Sequence, residues 1–351
     1  MLRKLLKELP QKHLAELLER PLLIPKVALN YMKLVALKQP VLRSVDLATT
    51  FDCQVNCAHC YCSSMRDPGR RPMTFEEICT TIDQCLRLGA VAINLAGGET
   101  LLDDRIYDIV AYIKPWRAVS VVTTNGLLLT EQAVTRLKRN GLYLVAVSID
   151  EPTREKHDAF RGYQGLYERA WEGVRLARKA GLSVMINMMV SSEKLRDKTV
   201  EKMVTMSRAH GATLNLILPA YVGEQKRHGP AVFLDKESMS LLREYLSLPH
   251  VRWDGSSNYL REGCGAGVEK IAITPYGDVL ACALIQASFG NVLEEPLEAI
   301  WGRMRRVKEF ATVNEFCLAS NDPRFIESYM TKIDREGSYP CPASKIFPDI
   351  D

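Results

Sequence analysis

What the sequence lacks narrows the reading first. It carries no secretory signal, because the opening Met1-Leu2-Arg3-Lys4-Leu5-Leu6-Lys7 is broken by cations before an apolar core can form. No apolar run reaches the length that spans a bilayer. Nor is there a large charge of either sign, only +4 over 351 residues. That surplus sits at the front: residues 1–45 hold nine Lys or Arg against three Glu, so the remainder is slightly acidic. A basic nucleic-acid groove in the body of the protein is therefore not expected. With nothing to direct the chain to an oxidising compartment, its ten cysteines read as cytoplasmic thiols and metal ligands rather than a disulfide framework.

Three of those thiols stand in Cys53-Gln54-Val55-Asn56-Cys57-Ala58-His59-Cys60, directly after a predicted strand, Ser44–Phe51. A short loop of this kind can wrap three thiolates around one inorganic centre, which suits an iron–sulfur cluster. A cubane has four irons, so three cysteines leave one iron for an outside ligand. Zinc would accept thiolates at similar spacing and could recruit His59 or Cys62. Cys79 and Cys85 fall inside a predicted helix and read as small buried hydrophobes, and the 12 methionines read as core filler.

Ahead of the first strand, Leu2, Leu5, Leu6 and Leu9 lie at helical spacing, and further helices are expected over Gln11–Glu19 and Lys26–Lys38. In the last of these, Lys26, Asn30 and Lys33 share one polar line. Such basic amphipathic helices either lie in a membrane interface or pack on the body of the protein. From Ser44 onward, short apolar strands alternate with longer amphipathic helices. The strands are Ser44–Phe51, Val91–Ala96, Ala118–Thr124, Leu142–Ile149, Leu182–Val190 and Ala212–Leu218. Their near-continuous apolar character fits a parallel sheet covered by helices. Gly89, Gly141, Gly181 and Gly211 each close a helix just before a strand, and Thr74-Phe75-Glu76-Glu77 supplies a capping box. Six βα units make the expected fold α/β, an open, partial (β/α)6 TIM-like barrel. In parallel barrels the chemistry sits at the carboxyl ends of the strands. The thiol loop, Gly97-Gly98-Glu99-Thr100, Thr123-Thr124-Asn125-Gly126, Ser148-Ile149-Asp150 and Asn187 all fall at or near that end.

After Pro219 the βα rhythm fades into a polar linker, Tyr221–Pro230, and a helix, Lys236–Leu246. There follow Cys264-Gly265-Ala266-Gly267, a strand Lys270–Thr274, a turn at Pro275-Tyr276-Gly277-Asp278 and a strand Val279–Cys282. Pro and Gly in a four-residue turn between apolar runs make a β-hairpin.

On the thiol loop and the Gly-Gly-Glu tripeptide, the chain resembles the radical S-adenosylmethionine (SAM) superfamily over most of its length. The resemblance implies a [4Fe–4S] cluster on Cys53, Cys57 and Cys60 whose open iron is chelated by SAM. One electron then cleaves SAM to a 5′-deoxyadenosyl radical that abstracts hydrogen from an unactivated C–H bond. It implies that His59 packs near the adenine and that Gly97, Gly98 and Glu99 seat the amino group. By the same resemblance Thr124, Asn125, Ser148, Asp150 and Asn187 contact SAM, and Arg161 pairs with its carboxylate. Cys264, Gly277 and Cys282, with Gly290-Asn291-Val292-Leu293, resemble the SPASM or shorter Twitch extension. The dense cysteine run of the larger form is missing, so Cys264, Cys282, Cys317 and Cys341 together are expected to hold one auxiliary [4Fe–4S] cluster.

The expected organisation is a helical extension over 1–43, a barrel over 44–222, a linker and helix over 223–262, and an auxiliary-cluster domain over 263–351. Partners implied are an electron donor such as flavodoxin or ferredoxin, a substrate, and a peripheral membrane contact through residues 1–40. The basic N-terminus favours a lipid or isoprenoid substrate. A small-molecule dehydrogenase or epimerase and a peptide maturase are the alternatives, the maturase weakened because the N-terminal region is too short for a winged-helix leader-binding module. A non-catalytic iron–sulfur or zinc protein would leave Gly97–Glu99 unexplained.

Overall fold

The computed structural model describes residues 21–226, 233–260, 262–315, 317–348 and 350. Helix α1 (Ile24–Val35) leads into β1 (Ser44–Thr50). β2 (Ala92–Gly97), β3 (Val119–Thr124), β4 (Leu144–Ser148), β5 (Ser183–Met189) and β6 (Thr213–Ile217) then pair in parallel in chain order. Each expected strand is present, within two residues at either end. The crossovers are α2 (Phe75–Arg87), α3 (Ile106–Ile113), α4 (Glu131–Arg139), the pair α5 (Arg154–Arg161) and α6 (Leu166–Lys179), and the pair α7 (Ser192–Arg196) and α8 (Thr199–Ala209). Val45, Leu47, Ile93, Leu95, Val145 and Ile186 are fully buried, as expected for strands covered by helices. The capping box at Thr74 is formed in both directions, and the four helix-closing glycines all have positive φ.

Two parallel strands extend the six. β7 (Val251–Trp253), reached through α9 (Lys236–Leu246), pairs with β6, and β8 (Lys270–Ile273) pairs with β1 on the other side. β8 turns through Gly277, at φ +91°, into β9 (Asp278–Cys282), then β10 (Ile285–Asn291) and β11 (Cys341–Pro342). The eleven strands form one sheet that runs on through the divisions expected at 222/223 and 262/263. The C-terminal segment is thus joined to the barrel beside β1, the strand that launches the thiol loop.

The expected helices at 2–9 and 11–19 lie outside the described residues. The third, α1, packs on the barrel, and two members of its polar line, Lys26 and Asn30, turn inward. Lys26 Nζ donates to the carbonyls of Ala90 (2.6 Å) and Arg117 (3.1 Å), and Asn30 Nδ2 donates to Gly89 O (2.8 Å) and Tyr259 OH (2.6 Å). The three carbonyls, of Gly89, Ala90 and Arg117, precede β2 and β3, where helix ends leave carbonyls without partners. Burial lowers the Lys26 pKa to about 8. Ile24, Leu29 and Met32 are instead about 40% exposed. No helix among the described residues is long and apolar enough to cross a membrane.

Candidate active site

One cavity at the carboxyl ends of the strands brings together almost every residue expected at the SAM-binding cluster and SAM. Cys53, Cys57, His59 and Cys60 line it from the loop after β1, and Gly97 and Gly98 from the end of β2. Thr124 and Asn125 follow β3, Ser148 and Asp150 end β4, Asn187 lies on β5, and Arg161 closes α5. Glu99 is the exception, set behind the wall and fully buried.

The two glycines have a more specific reason than access to a ligand. Gly98 N donates to Thr50 O and Glu99 N to Asp52 O, both at 2.8 Å, so the end of β2 is clamped to the start of the thiol loop. A Cβ on Gly97, at φ +131°, would lie 2.1 Å from Thr50 O, and one on Gly98 would lie 2.2 Å from Asp52 O. Both contacts are with backbone, which cannot step aside. Gly98→Ala is expected to lower iron retention along with thermal stability, read by anaerobic iron counting and circular dichroism. Full iron content in the variant would contradict the clamp.

Glu99, expected at the SAM amino group, accepts three hydrogen bonds from the protein itself. Oε1 accepts from Leu101 N (3.0 Å) and Thr124 Oγ1 (2.7 Å), and Oε2 from Asn125 N (2.8 Å). Burial raises its carboxyl, against these three donors. Glu99 therefore positions the β3 loop, and Asn125 Nδ2 in turn points at Cys53 Sγ, 3.8 Å away.

Arg161 is not a surface ion pair. Its Nε donates to Asp150 Oδ2 (2.6 Å) and its Nη1 to Cys57 Sγ (3.7 Å), with side-chain exposures of 11% for Arg161 and 0% for Asp150. Asp150 Oδ1 also accepts from Met189 N (2.7 Å). Burial alone would raise the Asp150 carboxyl, but Arg161, then His59 and Lys194, outweigh it and hold it below the ordinary range. Lys194 carried no motif in the sequence. Its Nζ pairs with Glu151 (2.9 Å), donates to Asp150 O (3.1 Å) and lies over the Phe160 ring. Phe160 also stacks on His59, with centroids 4.3 Å apart. Burial, then Arg161, pushes the His59 imidazole down to about 3, so it lines the wall as a neutral aromatic ring.

The thiols suit a soft, multi-iron centre. All ten cysteines are free, and Cys53, Cys57 and Cys60 face one cavity from one loop. Burial pushes Cys53 up to about 11 and raises Cys57, against Arg161, whereas Cys62, 3.6 Å away, lowers Cys60 to about 6. Cluster loading must therefore expel protons. The donors from Asn125 and Arg161 are of the kind that tune cluster sulfur. This donor set fits a [4Fe–4S] cluster.

A polar belt, unexpected from the sequence, crosses the barrel below the cavity. Thr123 Oγ1 donates to Asn94 Oδ1 (2.8 Å), and Asn94 Nδ2 to Asp46 Oδ1 (2.9 Å). Lys270 Nζ pairs with Asp46 (2.9 Å) and Asp254 (3.2 Å). Asn215 Nδ2 then joins Asp254 (3.3 Å) to Asn187 Oδ1 (3.1 Å). Thr123 and Asn187, the two ends of the belt, both line the upper cavity.

In the C-terminal segment, Cys264 and Cys317 interact with each other, Cys264 raises the Cys282 thiol after burial does, and Cys282 in turn raises Cys317. Cys341 sits on β11, on the far side of β10 from Cys282, with its Sγ directed at Gln286 O (3.6 Å).

Residues 47–205 match the family model of the radical SAM superfamily, and residues 264–323 match SPASM, an iron–sulfur cluster-binding domain. The chain is 28% identical over 289 residues to the AdoMet-dependent heme synthase of Methanosarcina barkeri, covering 74% of this chain and 82% of that one. It is 28% identical over 268 residues to the mycofactocin maturase MftC of Mycobacterium tuberculosis, covering 70% and 66%. The fold is similar to Streptococcus suis SuiB bound to precursor peptide SuiA, with TM-score 0.61, 14% identity, and coverage of 83% and 68%.

Proposed function

The chain is a radical SAM enzyme with a SPASM-type C-terminal domain, and on that premise we propose that it abstracts hydrogen from a polar substrate seated on the belt inside its barrel. The SAM-binding cluster, when loaded, supplies the electron that cleaves SAM and so the radical that attacks the C–H bond. The protein's part is to hold, orient and keep water out. Gly97 and Gly98 fix the thiol loop against β2, Glu99 fixes the β3 loop, and the Asp150–Arg161 pair stiffens the wall beside Cys57. His59, neutral and stacked on Phe160, offers a flat apolar face suited to an adenine ring.

The observation that carries the substrate class is the belt. Two carboxylates, one ammonium and three carboxamides form this chain of contacts, whose Asn187 end lines the cavity and whose Asp254 side chain is 58% exposed. Such a wall can recognise hydroxyl, amide or amino-acid groups by hydrogen bonds, and it holds one buried acceptor without a partner, Asn215 Oδ1. The names of the relatives, a heme synthase and a mycofactocin maturase, differ in product, so superfamily membership leaves the substrate open. A peptide main chain offers the same donors and acceptors as a small polar molecule and is the second form of this reading. The lipid or isoprenoid reading loses Lys26 as a headgroup contact, because that ammonium is bonded inward.

Lys270→Met and Asp46→Asn test the belt. Anaerobic protein with dithionite and SAM is assayed for 5′-deoxyadenosine, alone and with anaerobic cell extract. Losing a charged hydrogen bond costs about 1.5–3 kcal/mol, so the extract-stimulated rate should fall about ten- to a hundredfold more than the basal rate. Equal losses in both rates would contradict the assignment.

A further inference from the structure

Helix α1 directs two polar side chains into the barrel and an apolar face away from it. Inward, Lys26 and Asn30 bond the carbonyls described above, Val27 and Tyr31 pack with Val91 and Tyr259, and Tyr31 OH donates to Tyr259 O (2.7 Å). Outward, every exposed position from Ile24 to Ala36 is apolar: Ile24, Pro25, Ala28, Leu29, Met32 and Ala36, which share one side of the helix. Leu22 and Leu37 flank this run and are 65% and 54% exposed. Five of the ten large apolar side chains exposed among the described residues thus fall within residues 22–37. Single exposed leucines are ordinary, but a cluster on one anchored helix marks a contact surface.

The charge around this face has one sign. Residues 21–45 hold Lys26, Lys33, Lys38 and Arg43 and no acid. Lys33 follows Met32 at the edge of the face, and the exposed Lys38 follows Leu37. The loop whose Arg117 carbonyl receives Lys26 Nζ adds Trp116, 56% exposed, with Lys114 Nζ 5.5 Å from its ring centroid. Apolar side chains flanked by lysines, with a tryptophan at the border, match the boundary between lipid headgroups and acyl chains. Tryptophan settles there, and lysine stems reach back to the phosphates. A second copy of this chain suits the face less well. A two-fold contact would set its lysines against their own copies, with no acid in residues 21–45 between them.

We propose that the outward face of α1 docks on an anionic phospholipid surface, with the helix axis in the membrane plane. Ile24, Leu29 and Met32 enter the headgroup boundary, and Lys33, Lys38 and Lys114 meet phosphates. The docking fixes an orientation. α1 binds the carbonyls from which β2 and β3 start, whereas the SAM cavity lies at the carboxyl ends of those strands. The cavity therefore faces away from the bilayer and receives a polar substrate from solution. Docking brings the enzyme to a membrane without drawing its reactant from the lipid.

The test is co-sedimentation of the full-length, anaerobically reconstituted chain with two kinds of vesicle, phosphatidylcholine alone and phosphatidylcholine mixed equally with phosphatidylglycerol. Wild type should bind the anionic vesicles, come off them as salt rises, and bind the neutral ones far more weakly. Leu29→Glu with Met32→Glu should weaken partitioning onto anionic vesicles about tenfold or more. Both side chains are exposed, so iron content, circular dichroism and basal 5′-deoxyadenosine formation should stay unchanged. Lys38→Gln with Lys114→Gln leaves the apolar face intact and should narrow the difference between the two vesicle types. Trp116 emission should move to shorter wavelength on anionic vesicles, a shift lost in Trp116→Phe. A wild type indifferent to anionic vesicles would overturn the proposal. So would a Leu29→Glu, Met32→Glu chain that binds them as tightly as wild type, because residues 1–20 or another surface would then make the contact. A wild-type dimer in solution that the same double substitution splits would assign the face to a second copy instead and overturn it equally.

Discussion

Cys57→Ala should abolish 5′-deoxyadenosine formation and remove about four irons per chain, leaving the auxiliary cluster in place. Cys57 is nearly buried at the mouth of the cavity and takes a hydrogen bond from Arg161. Alanine preserves most of its packing, so the apoprotein should keep its circular dichroism while losing a thiolate that no other described residue replaces. Cys79→Ala is the control. Cys79 is buried on α2, behaves as a small hydrophobe, and its removal should leave iron content and SAM cleavage unchanged. Anaerobic iron and sulfide analysis with chromatographic assay of 5′-deoxyadenosine checks both. Cleavage surviving in Cys57→Ala would place the reactive centre elsewhere.

Arg161→Met should destabilise the fold by about 3–5 kcal/mol, because it leaves the buried Asp150 carboxylate without its partner. The Asp150–Arg161 pair is deeply buried, so solvent screening does little to soften the loss. Arg161→Lys should recover only part of it, since a single ammonium cannot serve Asp150 and Cys57 with the fixed fork of a guanidinium. The pH dependence has a definite sign. In the wild type the Asp150 carboxyl titrates below its unfolded value of about 3.9. Its stabilising contribution is therefore complete above about pH 3.9 and fades as pH falls through the lower folded value. In the methionine variant burial is no longer outweighed by Arg161 and the carboxyl rises, so acid unfolding should begin at higher pH. Urea titrations of the anaerobic proteins over an acid series measure this, and coincident acid midpoints would contradict the role given to the pair.

The barrel was legible because its signals are local. Apolar runs of strand length, glycines at helix ends and the Thr74–Glu77 capping box each act within a few residues. The thiol loop was legible for the same reason. β7 was missed because three residues after Pro249-His250 carry no strand-length pattern. The belt was hidden differently. Asp46, Asn94, Asn187 and Asn215 each appear as one polar residue inside an apolar strand, and only register puts Asp46 opposite Asn94 and Asn187 opposite Asn215. A polar residue interrupting each strand of two neighbouring pairs, β1–β2 and β5–β6, was the available signal. Lys26 looked solvated in a helical projection, and it turned inward because carbonyls before β2 and β3 need donors. Glu99 was placed in the right loop, but its protein donors, Leu101 N, Thr124 Oγ1 and Asn125 N, come from two loops and could not be read from the tripeptide. Arg161 was likewise placed at the site, although what it meets in this fold is Asp150 and Cys57.

The most direct measurement is the electron paramagnetic resonance spectrum of the dithionite-reduced, anaerobically reconstituted chain with and without SAM. The signal assigned to Cys53, Cys57 and Cys60 by its loss in Cys57→Ala should shift when SAM is added, as the nucleotide occupies the iron those three thiols leave open. A spectrum unchanged by saturating SAM, or a chain that binds stoichiometric zinc in that loop, would contradict the assignment.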